Sequence, residues 1–162
     1  MTLDVGDTIP DAQLLRIGSD GPEAVSIRDY VAGRKVVMFA VPGAFTGTCS
    51  TIHVPSFMRV RDDLGDKGID EVICIAVNDP FVMKAWGDAT GGAEGGITFL
   101  ADPASEFSMA TGRFSNFPPH GMLNRAKRFA MVVEDGKVVS MHAEDRPGVC
   151  DISAGENVLA TL

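Results

Sequence analysis

Cys49 stands in the segment Val41-Pro42-Gly43-Ala44-Phe45-Thr46-Gly47-Thr48-Cys49-Ser50, between an apolar strand-like run and a helical pattern. That order puts its thiol in the first turn of a helix, at the carboxyl end of a strand. Free backbone N–H groups and the positive end of the helix dipole favour an anion in such a place. A thiol there ionises more readily, and the thiolate is the reactive species. Most free cysteines are instead small buried hydrophobes. Here Thr46, Gly47, Thr48 and Ser50 make the setting polar and tightly turning, and by residue type and position alone both readings stand open. Thr46, three residues before Cys49, offers a hydroxyl to the sulfur or to a bound oxygen, or is an ordinary helix-start threonine. Pro42 either shields a thiolate from water or simply ends the strand.

The other residues that could do chemistry are fewer. His53 follows Cys49 by four residues and shares its helix face. A Cys–His pair suits acyl transfer, yet neither an orienting carboxylate nor an oxyanion site accompanies it, so His53 is expected to be a structural or environmental group. Cys74, between Ile73 and Ile75, reads as core filler. Cys150 follows Arg146-Pro147-Gly148-Val149 in an expected mobile loop, and it stays open between a resolving thiol, a glutathione acceptor and a bystander. Arg128 begins an expected buried strand, where a guanidinium can stabilise a thiolate and a developing anion together. Arg125 and Lys127 are expected to be solvated.

These residues need elements to position them. Gln13-Leu14-Leu15-Arg16-Ile17 reads as an edge strand or hairpin arm, and Ser26 as the N-cap of a short helix ended by Gly33. Residues 35–41 are nearly continuous apolar strand formers, the mark of a strand buried on both faces. The helix from about Thr48 to Leu64 places Phe57, Val60 and Leu64 inward, with Pro55 expected to kink it. Residues 71–77 form a second buried strand, and Asp79-Pro80 opens the next helix. The glycine-rich stretch from Gly91 to Gly96 lacks a phosphate-binding consensus and is expected to be surface loop. A short strand at 97–100 and a short helix from Ser105 to Thr111 follow, and residues 114–124, with Pro118-Pro119, read as loop. Asp135-Gly136 between two strand-like runs is a two-residue hairpin signal. Ser153-Ala154-Gly155-Glu156 spells a capping box for a last helix. The order predicts an α/β domain with a mixed central sheet flanked by helices, parallel at the crossovers and antiparallel at the hairpin. Sites form at the carboxyl ends of the parallel strands of such sheets, which is where Cys49 falls.

A chain of 162 residues is expected to be one domain over 1–162 with a single sizeable core. A net charge of -8 argues against nucleic acid or an anionic membrane surface as partner, without excluding a small positive pocket. No apolar run approaches the length of a membrane span. The first seven residues lack the basic and apolar regions of a secretory leader, and the odd cysteine count then suggests a reducing, cytoplasmic setting. The three cysteines and three histidines form no metal-ligand cluster.

Pro42-x-x-x-Thr46-x-x-Cys49, spelled PGAFTGTCS, resembles the peroxidatic-site motif of the peroxiredoxins, and the chain is similar to their type II or peroxiredoxin 5 branch. TCSTIHVPSF, VNDPFVMKAWG, FLADP and KRFAMVVEDG extend the resemblance over most of the chain. It implies a thioredoxin-like fold and reduction of hydrogen peroxide and organic hydroperoxides without metal or prosthetic group. It also implies a thiol reductant (glutathione, glutaredoxin or thioredoxin) and a homodimer. By resemblance, Cys49 is the peroxidatic thiolate, Thr46 hydrogen-bonds the peroxide oxygens, Pro42 shields the site and Arg128 is the active-site arginine. Some members carry a resolving cysteine in the loop before the last helix. Cys150 lies in that loop, slightly earlier than that position. Phe117-Pro118-Pro119-His120 departs from the family pattern and is expected to wall the pocket or a dimer contact.

Overall fold

The computed structural model describes residues 1–162. Its strands are β1 (Gln13–Gly18), β2 (Gly21–Ser26), β3 (Lys35–Val41), β4 (Glu71–Ala76), β5 (Ile97–Ala101), β6 (Phe114–Phe117), β7 (Met122–Ala126), β8 (Phe129–Glu134) and β9 (Lys137–Ala143). Its α-helices are α1 (Ile27–Val31), α2 (Val54–Asp66), α3 (Pro80–Ala89), α4 (Glu106–Ala110) and α5 (Gly155–Leu159). Seven strands form one sheet in the order β2-β1-β5-β4-β3-β8-β9. β3 pairs parallel with β4, and β4 with β5, whereas β3–β8 and β8–β9 are antiparallel. The expected mixed sheet is therefore present.

β3 is apolar throughout because both of its faces are covered. Val37, Phe39 and Val41 join Val54, Phe57, Val60, Leu64, Trp86 and Val158 on one side. Val36, Met38 and Ala40 join Ile27, Val31, Phe107, Met131 and Val133 on the other. Alternate residues of a strand point to opposite faces, so a doubly covered strand has no position left for a polar side chain.

Local signals of the sequence set several boundaries. Asp79 caps α3, its Oδ1 accepting from the Val82 N–H at 2.9 Å, with Pro80 at the first helical position. Asp135 and Gly136 take φ of +48° and +77°, the left-handed pair that the two-residue turn between β8 and β9 requires.

Two expectations are corrected. Residues 114–124 do not form a loop: β6 and β7 pair as an antiparallel hairpin, with Pro118–His120 confined to a 3-10 turn at its tip. The prolines sit where no ladder N–H is needed. Nor is Ser153-x-x-Glu156 a capping box, since α5 starts from Ala154 without a side-chain cap. The Ser153 hydroxyl donates to Glu144 at 2.8 Å, and Ser56 Oγ accepts from the Gly155 N–H at 2.9 Å. Gly155 is needed there, because a Cβ would lie 2.5 Å from the Ser56 carbonyl oxygen where α5 crosses α2. At α4 the Ser105 side chain makes no cap: its backbone is left-handed and its hydroxyl donates to the Asn124 carbonyl. Buried Asp102 accepts from the Phe107 and Ser108 N–H groups instead.

Candidate active site

The helix that follows β3 does not run as plain α-helix through Pro55. Cys49–His53 form a π-helical turn before α2, and the Val54 N–H donates to the Cys49 carbonyl five residues back. Proline has no N–H to give to the carbonyl of residue 51, so the expected disturbance takes the form of a widened turn just ahead of it. Single π-turns inside α-helices concentrate at functional sites.

Cys49 begins that turn and is 1% exposed. One turn earlier, the Thr46 carbonyl accepts from the Ser50 N–H at 3.1 Å. The N–H groups of Thr48 and Cys49 donate to no protein acceptor, as expected for the first turn of a helix. Three residues of the motif are thus gathered at the exit of β3. Pro42 is half-buried, and its carbonyl accepts from Arg125 Nη1 at 3.1 Å. Thr46 Oγ1 donates to the Gly43 carbonyl at 2.7 Å, which commits its proton and leaves its lone pairs free.

Arg128 precedes β8, the antiparallel neighbour of β3, and reaches the sulfur from the next strand. Its Nη2 donates to Cys49 Sγ at 3.1 Å. Its Nη1 meets His53 Nδ1 at 2.9 Å, and His53 Nε2 meets the Ser153 carbonyl at 2.9 Å. These bonds determine the ring's protonation. A guanidinium can only donate, so Nδ1 accepts; a carbonyl can only accept, so Nε2 carries the proton. His53 is neutral. Burial and the adjacent Arg128 charge push its pKa down to about 3, against a small opposing contribution from the Ser153 carbonyl. No hydrogen bond joins His53 to Cys49, consistent with the expectation that it is not a catalytic partner of the thiol.

Arg128 is 6% exposed and takes part in none of the four salt bridges. Its Nε is buried without an acceptor. A guanidinium out of solvent with neither a carboxylate nor a full set of acceptors is arranged for an anion that arrives or forms beside it.

Cys150 is half-buried in the loop between β9 and α5. That loop packs on the Cys49 helix, because Thr48 Oγ1 donates to the Gly148 carbonyl at 3.1 Å. Burial pushes the Cys150 thiol up, partly offset by the Ser153 hydroxyl and Arg128. Cys74 is fully buried in β4, as the sequence suggests.

Arg125 corrects an expectation. It is half-buried, and its Nη1 would lie 2.7 Å from a Cβ at position 43, so it packs directly on the Pro42–Gly43 backbone. Lys127 is exposed, as expected. Phe117 and His120 sit exposed at the hairpin tip, their rings edge to face at 4.4 Å. Glu144 escapes sequence reasoning altogether, Ser153 enters it only as a helix cap, and nothing in the sequence points to the place of the sole tryptophan, Trp86, whose Nε1 donates to Ser50 Oγ beside Cys49 at 2.9 Å.

Comparison with known proteins agrees with this geometry. The redoxin family model matches residues 4–159. Peroxiredoxin-2D of Arabidopsis thaliana is 40% identical over 98% of this chain and 97% of its own. Peroxiredoxin-2C of Oryza sativa subsp. japonica is 41% identical over the same shares. Reduced Prx3 from Vibrio vulnificus in complex with hydrogen peroxide superposes with a TM-score of 0.92 at 38% identity, covering 99% of each chain. Peroxiredoxin 5 from Alvinella pompejana superposes with a TM-score of 0.85 at 33% identity, covering 98% of this chain and 97% of that one. A thioredoxin-like sheet that carries a first-turn cysteine under a buried arginine, matched end to end by these relatives, places the chain among the peroxiredoxins, in their type II branch, as a thiol-dependent peroxidase.

Proposed function

We propose that Cys49 is the peroxidatic thiolate of this peroxidase, with Thr46, Arg128 and Pro42 shaping its peroxide site. The observation that carries the assignment is the buried Arg128 Nη2 donating to Cys49 Sγ at 3.1 Å. It gives this sulfur a cation that no carboxylate claims.

The chemistry follows from the donors and acceptors. Thr46 has spent its proton on Gly43, so it accepts the peroxide O–H. The free N–H groups of the first helical turn and the orphaned Arg128 Nε–H supply donors to the two oxygens. The Cys49 thiolate attacks the terminal oxygen in line. An S–O bond forms, the O–O bond breaks, and the leaving alkoxide or hydroxide takes a proton and departs as alcohol or water. Charge spread over both oxygens is what these donors stabilise most. Cys49 becomes a sulfenic acid; a thiol then displaces water to give a disulfide, and a second thiol returns Cys49. Pro42, at the strand exit, limits water near the sulfur.

For the reductant we propose a small thiol or thiol protein (glutathione, glutaredoxin or thioredoxin), with Cys150 as the resolving thiol that attacks the Cys49 sulfenic acid, releasing water, before that reductant acts. The bond from Thr48 to Gly148 supports a route through Cys150, because it keeps that loop on the catalytic helix. Residues 1–162 are proposed to work as one domain, and the central sheet drawing strands from β1 to β9 supports this. A homodimer is supported by the exposed apolar side chains Phe45, Phe117 and Leu123, and a cytoplasmic setting by three unpaired thiols.

The test is to oxidise reduced protein with one equivalent of hydrogen peroxide and map its cysteines by mass spectrometry. A Cys49–Cys150 disulfide is the expected product. Persistent sulfenic acid at Cys49, or its adduct with added glutathione, would overturn the role of Cys150 and leave Cys49 to be reduced directly.

A further inference from the structure

We propose that Glu144 is a positioning residue for Arg128, acting through Ser153 and His53; this rests on the assignment of Cys49 and Arg128 to the peroxide site. Glu144 follows β9 directly, and its N–H donates to the Arg128 carbonyl at 3.1 Å. One of its carboxylate oxygens, Oε1, accepts three bonds from the Cys150 loop: Asp151 N–H at 2.6 Å, Ser153 N–H at 2.9 Å and Ser153 Oγ at 2.8 Å. Partial burial pushes its carboxyl up, but these three donors and the nearby Arg128 charge together hold it below the usual range.

Ser153 is fully buried, so its position is set by its bonds rather than by water. Its N–H and hydroxyl go to Glu144, and its carbonyl receives His53 Nε2. The other ring nitrogen of His53 accepts from Arg128 Nη1, and Arg128 Nη2 reaches the sulfur. A continuous run of hydrogen bonds therefore joins a loop carboxylate to the nucleophile. Without Glu144 the Ser153 N–H has no protein acceptor, and a buried unpaired N–H is strongly disfavoured. The segment would turn toward water and withdraw the carbonyl that sets the tautomer and tilt of His53. Arg128 would then lose the acceptor that aims its fork.

Charge and position predict opposite signs here, which makes the proposal testable. Removing a negative charge near Cys49 should by itself favour an anionic sulfur and speed its reactions. Misplacing Arg128 should slow them. Glu144→Ala removes charge and acceptor together, whereas Glu144→Gln removes the charge and keeps an acceptor oxygen. Two rates would be measured at pH 7: single-turnover oxidation of Cys49 by hydrogen peroxide and its alkylation by iodoacetamide. Expected for Glu144→Ala is a slowing of both, on the order of tenfold for oxidation, the scale of losing a partner that orients the group touching the reacting atom. Glu144→Gln should recover most of that loss. Thermal melts would show that both variants are folded. Glu144→Ala reacting at the wild-type rate or faster would overturn the proposal, and so would an equal loss in Glu144→Gln. Peroxide turnover surviving in Cys49→Ser would mark a different failure, that of the Cys49 assignment itself.

Discussion

Cys49 and Cys74 lie in the same apolar cluster and are equally buried, at 1% and 0% exposure. Their surroundings otherwise differ at every point. Cys74 is mid-strand, paired in register with Phe39 on β3 and Phe99 on β5. Burial pushes its thiol well above the ordinary range, and the neighbouring Cys49 adds to that while Arg128 opposes it. Cys49 begins a helix with free N–H groups beside it and a guanidinium on its sulfur. Burial alone therefore makes a thiol inert; the same burial with fixed donors makes an anion site, because donors in a low-dielectric interior need not compete with water.

The largest expected effect breaks the comparison outright. Cys49→Ser should abolish peroxide reduction in a steady-state assay with excess thiol, whereas Cys74→Ala should retain most of it. A Cys74 variant as inactive as the Cys49 variant would mean that the two thiols share the chemistry.

A smaller effect concerns His53, the ring that accepts from Arg128. His53 titrates near 3 in the folded protein, against an ordinary value of 6.5. Between those values the unfolded chain binds a proton that the folded protein excludes, so stability is full above pH 6.5 and falls as the pH drops toward 3. The slope from this one group approaches about 1.4 kcal/mol per pH unit. His53→Gln keeps a donor and an acceptor but does not titrate. Denaturant unfolding from pH 7 to pH 4 should show a shallower loss in this variant than in the wild type; parallel curves would contradict the neutral, buried ring.

Much of this contrast is legible in the chain. The strand before Cys49 and the Thr46, Gly47 and Ser50 around it place that thiol at a helix start, while Ile73 and Ile75 place Cys74 in a core strand. Arg128 is conspicuous as a cation at the head of a buried run. What escapes is whatever depends on a partner distant in sequence. Ser153-x-x-Glu156 has the local spelling of a capping box, but Glu144, nine residues before Ser153, takes its hydroxyl. Arg125 looks solvated until the Pro42 carbonyl meets it from 83 residues away. Pro118-Pro119 suggests a loop, and only the pairing of β6 with β7 reveals a turn between strands. His53 makes no hydrogen bond to the thiol, and nothing near it in sequence identifies Arg128 as its partner.

On the proposed assignment, Arg128, more than burial, makes Cys49 a nucleophile. The most direct measurement is the second-order rate constant for oxidation of Cys49 by hydrogen peroxide under single turnover, followed through Trp86 fluorescence, in the wild type and Arg128→Met. Trp86 is the sole tryptophan, and its hydrogen bond to Ser50 places it beside Cys49. Methionine fills much of the buried space without supplying charge or donors. The rate should fall by roughly 10²–10³, the cost of removing a fixed donor from a developing anion. A rate within twofold of the wild type would contradict the account.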